Sequence, residues 1–97
     1  MIHITNSQYP LQSVEECAKV YMEQPPLPDY IAEKGLYFNL VKGVGIEAIH
    51  ILEFDDSKHA EAMEFIGKRI MRYSKVPGFS CSSQPWTTRE EVLKMRE

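Results

Sequence analysis

Residues 36–54 read LYFNLVKGVGIEAIHILEF, in which two apolar runs flank the triplet Gly43-Val44-Gly45. Both runs are rich in aromatic and β-branched residues, a composition that predicts two strands, 36–41 and 46–54. A three-residue hairpin loop needs a last residue that accepts a left-handed backbone, and Gly45 is such a residue. The segment therefore predicts an antiparallel β-hairpin.

The register of this hairpin decides which side chains share a face. A three-residue loop pairs Lys42 with Ile46 and Leu40 with Ala48. One face then carries Leu36, Phe38, Leu40, Ala48, His50, Leu52 and Phe54. The other face carries Tyr37, Asn39, Val41, Glu47, Ile49, Ile51 and Glu53. A two-residue turn would slip the register by one residue and re-pair the faces, and the sequence leaves this alternative open.

The rest of the chain predicts five further elements from alternation, helical spacing and capping residues. They are a strand at 2–7, a helix from about 14 to 24, a helix from about 57 to 74, a strand at 79–83 and a short helix at 88–95. The first and last helices each have the spacing of a capping box, Ser13 with Glu16 and Thr88 with Glu91. These pairs mark where the two helices begin.

The order of the elements predicts the architecture. A βαββαβ string in 97 residues predicts one α+β domain, residues 1–97, with a ferredoxin-like fold. Two right-handed crossovers would put both helices on one face of a four-stranded antiparallel sheet. Residues 1–86 form the predicted core, and residues 87–97 add a C-terminal helix.

The sheet face away from the helices is expected to be apolar. It carries Tyr37, Val41, Ile49 and Ile51, whereas a face in contact with water should be mostly polar. Monomers rarely leave an apolar patch of this kind exposed. A second copy packed on the same face across a two-fold axis would cover it, so the sequence predicts a homodimer.

Two junctions resemble those of a known family. Leu52-Glu53-Phe54-Asp55-Asp56 leads from strand to helix, and Val76-Pro77-Gly78-Phe79 leads into the last strand. With the element order of residues 1–86, they resemble the dimeric α/β-barrel superfamily, in which two ferredoxin-like sheets face each other around a cavity. Its members include quinone-forming monooxygenases, haem-degrading and haem-binding enzymes, lactone isomerases and dehydratases. No catalytic motif of these groups is matched, so the resemblance implies a dimeric α/β barrel and no particular reaction.

The open face of the predicted sheet is also the candidate binding site. The candidate cavity residues are His3, Tyr37, Asn39, Ile49, Ile51 and Glu53. A mostly apolar cavity with a few converging polar groups is typical of small-molecule sites, and Glu53 is a candidate general base there. His50, by contrast, is expected on the face that packs against the helices.

The expected function is that of a homodimer that binds a small apolar or aromatic molecule between its two sheets. A cofactor-independent enzyme of the monooxygenase, isomerase or dehydratase kind is one alternative. A purely structural or interaction dimer is another. The catalytic residues are left unassigned.

Charge and hydropathy exclude several kinds of partner. The chain has 11 Lys and Arg against 14 Asp and Glu, a net charge of −3, which is too acidic for a nucleic-acid binder that relies on bulk electrostatics. No apolar run approaches the ~18 residues of a membrane span. The first residues lack a signal-peptide pattern. We therefore expect a cytoplasmic protein with no nucleic-acid or membrane partner.

Cofactor and metal motifs are also lacking in the sequence. Residues 43–48 fit the form GxGxxA, but a strand follows where a phosphate-binding loop needs a helix. The three histidines do not have the spacing of metal ligands. Cys17 and Cys81 stand alone and are expected to be reduced. The sequence therefore predicts neither a cofactor nor a metal site.

Overall fold

The computed structural model describes residues 1–96. In chain order its strands and helices are β1 (Ile2–Tyr9), α1 (Val14–Glu23), β2 (Ala32–Val41), β3 (Gly45–Glu53), α2 (His59–Met71), β4 (Ser80–Trp86) and α3 (Arg89–Met95). Short 3-10 turns precede α1 and α2, and a third follows α2. Residue 97, the last residue of the predicted C-terminal segment, lies outside the described residues.

The four strands form one sheet in the order β2-β3-β1-β4. Every neighbouring pair is antiparallel, with β1 and β3 at the centre and β2 and β4 at the edges. The predicted α+β class and four-stranded antiparallel sheet are confirmed, and the strand order is consistent with a ferredoxin-like fold. Pro85 lies in β4, where an edge strand tolerates the missing N–H group.

The hairpin has a three-residue loop, but the loop begins one residue earlier than predicted. Val41 pairs with Gly45 and Phe38 with Ala48, which shifts the register by two residues from the prediction. Gly43 has a positive φ of 81° within the loop, and Gly45, the residue predicted to need one, has a φ of 122° as the first residue of β3. The Val44 N–H donates to the Val41 carbonyl at 3.0 Å. Because side chains alternate with a period of two, a two-residue shift leaves both predicted faces of the hairpin intact.

One of the two predicted capping boxes forms. The Thr88 hydroxyl accepts from the Glu91 N–H at 3.1 Å, and the Glu91 carboxylate accepts from the Thr88 N–H at 2.7 Å. The Ser13 box is wrong, because the Ser13 hydroxyl donates instead to the Pro77 carbonyl at 2.6 Å. This bond ties the start of α1 to the turn that leads into β4.

The buried core is divided into two clusters on the face of the sheet that meets the helices. The first cluster contains Ile31, Leu52, Phe54, Ala62 and Ile66. The second contains Cys17, Val20 and Val76, with Tyr9, Tyr73 and Phe79 packed against it. The helices therefore meet the sheet mainly at the two ends of this face.

The chain is more extended than a fully compact domain of its length. Its radius of gyration is 14.7 Å, whereas about 12.5 Å is typical of a compact chain of this size. Phe38 and Leu40 of β2 lie on the helix-packed face, yet they are 63% and 71% exposed. The helices thus cover the central strands and leave much of β2 uncovered.

Candidate functional site

The open face of the sheet carries an apolar centre. Cross-strand pairing aligns Tyr37 with Ile49 and Ile51 with Ile4. Tyr37 is 61% exposed, and its ring lies over Gly35, where an added Cβ would overlap the ring. The ring of Tyr37 can lie across the sheet in this way because Gly35 has no side chain.

Polar groups surround this apolar centre. Asn39 pairs with Glu47, whose carboxylate accepts a long 3.4 Å hydrogen bond from the Gln8 amide. At the other end Glu53 forms an ion pair with Lys34 at 3.3 Å and is 43% exposed. The pairing therefore brings Tyr37, Asn39, Ile49, Ile51 and Glu53 to one face, as the sequence predicts.

Trp86 extends the open face beyond the predicted site. It is the last residue of β4, pairs with Ile2, and is about half exposed. The sequence prediction ended this strand at Ser83 and therefore left Trp86 outside the sheet. Residues 80–86 read SCSSQPW, which has no apolar alternation, so the sequence pattern contained no signal for the longer strand.

The predicted position of His3 on the open face is wrong. His3 pairs with Leu52, lies on the helix-packed face, and is 3% exposed. Its neighbours Ile2 and Ile4 face the open side instead. His3 therefore does not join the other five candidate residues, and the isoleucines of β1 add to the apolar centre.

The buried ring of His3 has one hydrogen-bond partner. Its Nε2 lies 3.0 Å from the Ser83 hydroxyl, which in turn lies 3.0 Å from the Thr5 hydroxyl. Within residues 1–96 its buried Nδ1 has no partner. Burial lowers the pKa of His3, and the nearby His50 and His59 lower it further. A serine and a histidine in contact are a potential nucleophile and base, but catalytic pairs have a third group that orients the free ring nitrogen, and this pair has none.

A cavity of about 440 Å³ lies on the other side of the sheet, between the sheet, α1 and α2. We call it the helix-side cavity. It touches both core clusters, with Leu52 and Ile66 from the first and Cys17 and Tyr73 from the second. Its size falls within the range of small-molecule pockets. No pattern in the sequence predicts this cavity, because it depends on how far the helices stand from the sheet.

His50 is the histidine that lines the helix-side cavity, on the face where it was expected. Its Nε2 lies 2.7 Å from a carboxylate oxygen of Glu33. A β-bulge at Lys34 makes this contact possible. In a regular strand residues 33 and 36 would point to opposite faces, but the extra residue in the bulge puts both Glu33 and Leu36 on the helix-packed face. Without the bulge Glu33 would point to the open face, as its alternation with Tyr37 suggests.

Metal-binding groups and membrane-spanning helices are absent from the described part of the chain. No group of three or more His, Cys, Asp or Glu residues in 1–96 could hold a metal ion. Over the same residues, no helix is both long and apolar enough to cross a membrane. The candidate sites are therefore the open face and the helix-side cavity.

Comparisons with known proteins add little to this geometry. No protein-family model matches the chain, and no curated protein matches it. Among solved structures, a formyltetrahydrofolate deformylase from Pseudomonas putida KT2440 is similar over 92% of this chain, with 14% identity and a TM-score of 0.47. The chain spans 30% of that protein, and a likeness this distant supports no inference about function.

The neutral ring of His3 should make stability depend on pH. In the unfolded chain this ring binds a proton near pH 6.5, whereas its pKa in the folded chain is lower. The free energy of unfolding should therefore fall as pH drops below about 6.5, until the folded-state pKa is passed. Urea unfolding between pH 7.5 and 5 measures this slope.

His3→Leu should flatten the slope, while His59→Gln, a change at a histidine outside the sheet, should keep most of it. Equal slopes in the wild type and His3→Leu would contradict the assignment of a depressed pKa to His3.

Proposed function

We propose that the chain is a homodimeric binding protein for a small, neutral, apolar or aromatic molecule. In this proposal the open faces of two copies pack together, as in a dimeric α/β barrel, and each copy holds its ligand in the helix-side cavity. The observation that carries the proposal is that cavity. It is a mainly apolar space of about 440 Å³ that is partly open to solvent, and a bound apolar molecule would remove its lining from water.

The lining of the helix-side cavity supports a neutral ligand. Aromatic and aliphatic side chains form most of it, among them Tyr21, Phe38 and Ile70. Arg69 also lines it, but its guanidinium donates to the Pro25 carbonyl at 2.8 Å and stacks over the Phe65 ring. These two contacts engage part of the Arg69 guanidinium and leave its charge in place, so the case for a neutral ligand rests on the predominantly apolar lining, where apolar contact would dominate binding.

The open face supports dimerisation. Its apolar centre includes Ile4, Tyr37, Ile49 and Ile51, with Asn6 opposite Ile49, and Glu47 and Glu53 lie toward its two ends. A mainly apolar centre with charged groups at the rim is typical of protein interfaces. A two-fold axis would set the same patch of each subunit against the other. The patch would then be removed from water in both copies.

The space between the two sheets of such a dimer is the other position for a ligand. Tyr37 and Asn39 would line it, as the sequence analysis expects. A catalytic role for this position has less support, since Glu53 is held by Lys34 and partly exposed, and no described hydroxyl or thiol of the open face hydrogen-bonds to a base. Binding is therefore the function proposed, with a purely structural dimer as the outcome if no ligand binds.

The dimer predicts a solution mass of about twice the 11.2 kDa of one chain. Ile49→Lys should reduce this mass toward that of the monomer, because it buries a charge in the centre of the proposed interface. Leu40→Lys is the matched control, since Leu40 is exposed on the opposite face. Light scattering at micromolar concentration measures all three proteins. A wild-type mass of one chain would contradict the dimer.

The cavity predicts that 1-methoxynaphthalene, a neutral aromatic probe, stabilises the protein. At ten times its Kd, a ligand that binds only the folded state adds ~1.4 kcal/mol, which raises the melting temperature of a domain this small by roughly 5–10 °C. Ala18→Phe should abolish the rise, because Ala18 lines the cavity and the ring would occupy it.

Ala60→Phe introduces the same ring on the exposed surface of α2 and should leave the rise unchanged. Tyr37→Ala combined with Asn39→Ala should also leave it unchanged. Loss of the rise in this double variant, but not in Ala18→Phe, would move the ligand to the space between the sheets.

A further inference from the structure

The polar groups of the helix-side cavity identify a class of ligand. Three of the described lining residues with polar side chains, Thr5, Ser7 and His50, come from the neighbouring central strands β1 and β3. Thr5 and His50 are direct cross-strand partners, so their side chains are neighbours on the cavity floor. These three side chains form one polar group on the sheet side of the cavity; Arg69 and three tyrosines also belong to the lining, and the rest is largely apolar.

The contact with Glu33 sets the hydrogen-bonding role of His50. An ionised carboxylate can only accept hydrogen bonds, so the Nε2 atom that lies 2.7 Å from Glu33 carries a proton. In the neutral ring the proton is then on Nε2, and Nδ1 has a free lone pair. Within the described residues Nδ1 has no hydrogen-bond partner. A ligand that meets this neutral form of the ring at Nδ1 must therefore donate the proton of the hydrogen bond.

The neighbouring hydroxyls favour one kind of donor. The Thr5 hydroxyl shares its hydrogen bond with Ser83 and can also reach outward as a donor or an acceptor. A ligand hydroxyl can donate to His50 and accept from a hydroxyl at the same time, whereas an ammonium or amide N–H group can only donate and an ether oxygen can only accept. A hydroxyl thus fits this pair of partners better than an ammonium group, an amide N–H or an ether.

We propose that the helix-side cavity selects a hydroxyl-bearing aromatic molecule, a phenol or naphthol, through a hydrogen bond from the ligand hydroxyl to Nδ1 of His50, which Glu33 orients. This inference rests on the proposed function, since it names the ligand of the same cavity. His50 contacts the ligand, and Glu33 is a positioning residue that acts through His50. The bulge at Lys34 is what brings Glu33 to that side of the sheet.

The test compares 1-naphthol with 1-methoxynaphthalene, which has the same rings and a methyl group in place of the hydroxyl proton. Wild-type protein should bind 1-naphthol about three- to tenfold more tightly, the effect of one hydrogen bond. His50→Phe retains an aromatic side chain but removes the acceptor, so the two affinities should become equal. Titration calorimetry measures both ligands on each protein.

Two further variants complete the test. His59→Phe, the matched change outside the cavity lining, should retain the preference. Glu33→Gln should reduce it, because an amide can donate to Nε2 as well as accept from it and no longer fixes the proton there. If His50→Phe does not fold, Glu33→Gln decides the test. A smaller ratio of the two affinities than in the wild type supports the role of His50, and an unchanged ratio contradicts it.

The outcomes separate the two proposals. Failure of both ligands to bind would overturn the proposed function. Equal binding of both ligands to the wild type, or a preference that survives in both His50→Phe and Glu33→Gln, would overturn the assignment to His50 and leave the cavity as a binding site for apolar molecules.

Discussion

The pairing of β1 with β3 governs both faces of the sheet. It sets His3 opposite Leu52 and Ile4 opposite Ile51, so His3, Thr5 and Ser7 lie under the helices, while Ile2 and Ile4 face away from them together with Asn6 and Gln8. A slip of one residue would exchange these two sets. The observed pairing has two consequences, because Thr5 and Ser7 are too small to fill the space beneath the helices, and the isoleucines make the open face apolar.

These consequences link the cavity to the proposed dimer. Larger apolar side chains at Thr5 and Ser7 would join the two core clusters, which instead are separated by the helix-side cavity. The isoleucines of β1 meet Ile49 and Ile51 of β3 on the open face. A chain with this pairing buries less apolar surface beneath its helices and exposes more on the open face. Binding of a ligand and of a second copy would restore the missing contacts.

The sequence predicted most of the sheet because the residues that belong to its two faces alternate regularly along β2 and β3. The predicted faces survived a two-residue error in the hairpin register, since any even shift preserves them. The same reasoning misplaced His3, because it assigned the isoleucines of β1 to the face under the helices. Both faces of β3 are apolar, so alternation alone does not decide which face of β1 packs against the helices. The bulge at Lys34 and the distance between helices and sheet leave no periodic signal, so the contact of Glu33 with His50 and the cavity itself could not be predicted.

Methyl NMR of isoleucine-labelled protein tests the central claim most directly, because isoleucines lie at both candidate positions. Ile66 and Ile70 line the helix-side cavity, while Ile4, Ile49 and Ile51 lie on the open face. The pairing of β1 with β3 predicts that an added naphthalene probe shifts the methyl signals of Ile66 and Ile70 and leaves those of Ile49 and Ile51 unchanged. Shifts confined to Ile4, Ile49 and Ile51 would contradict it and assign the ligand to the space between two sheets.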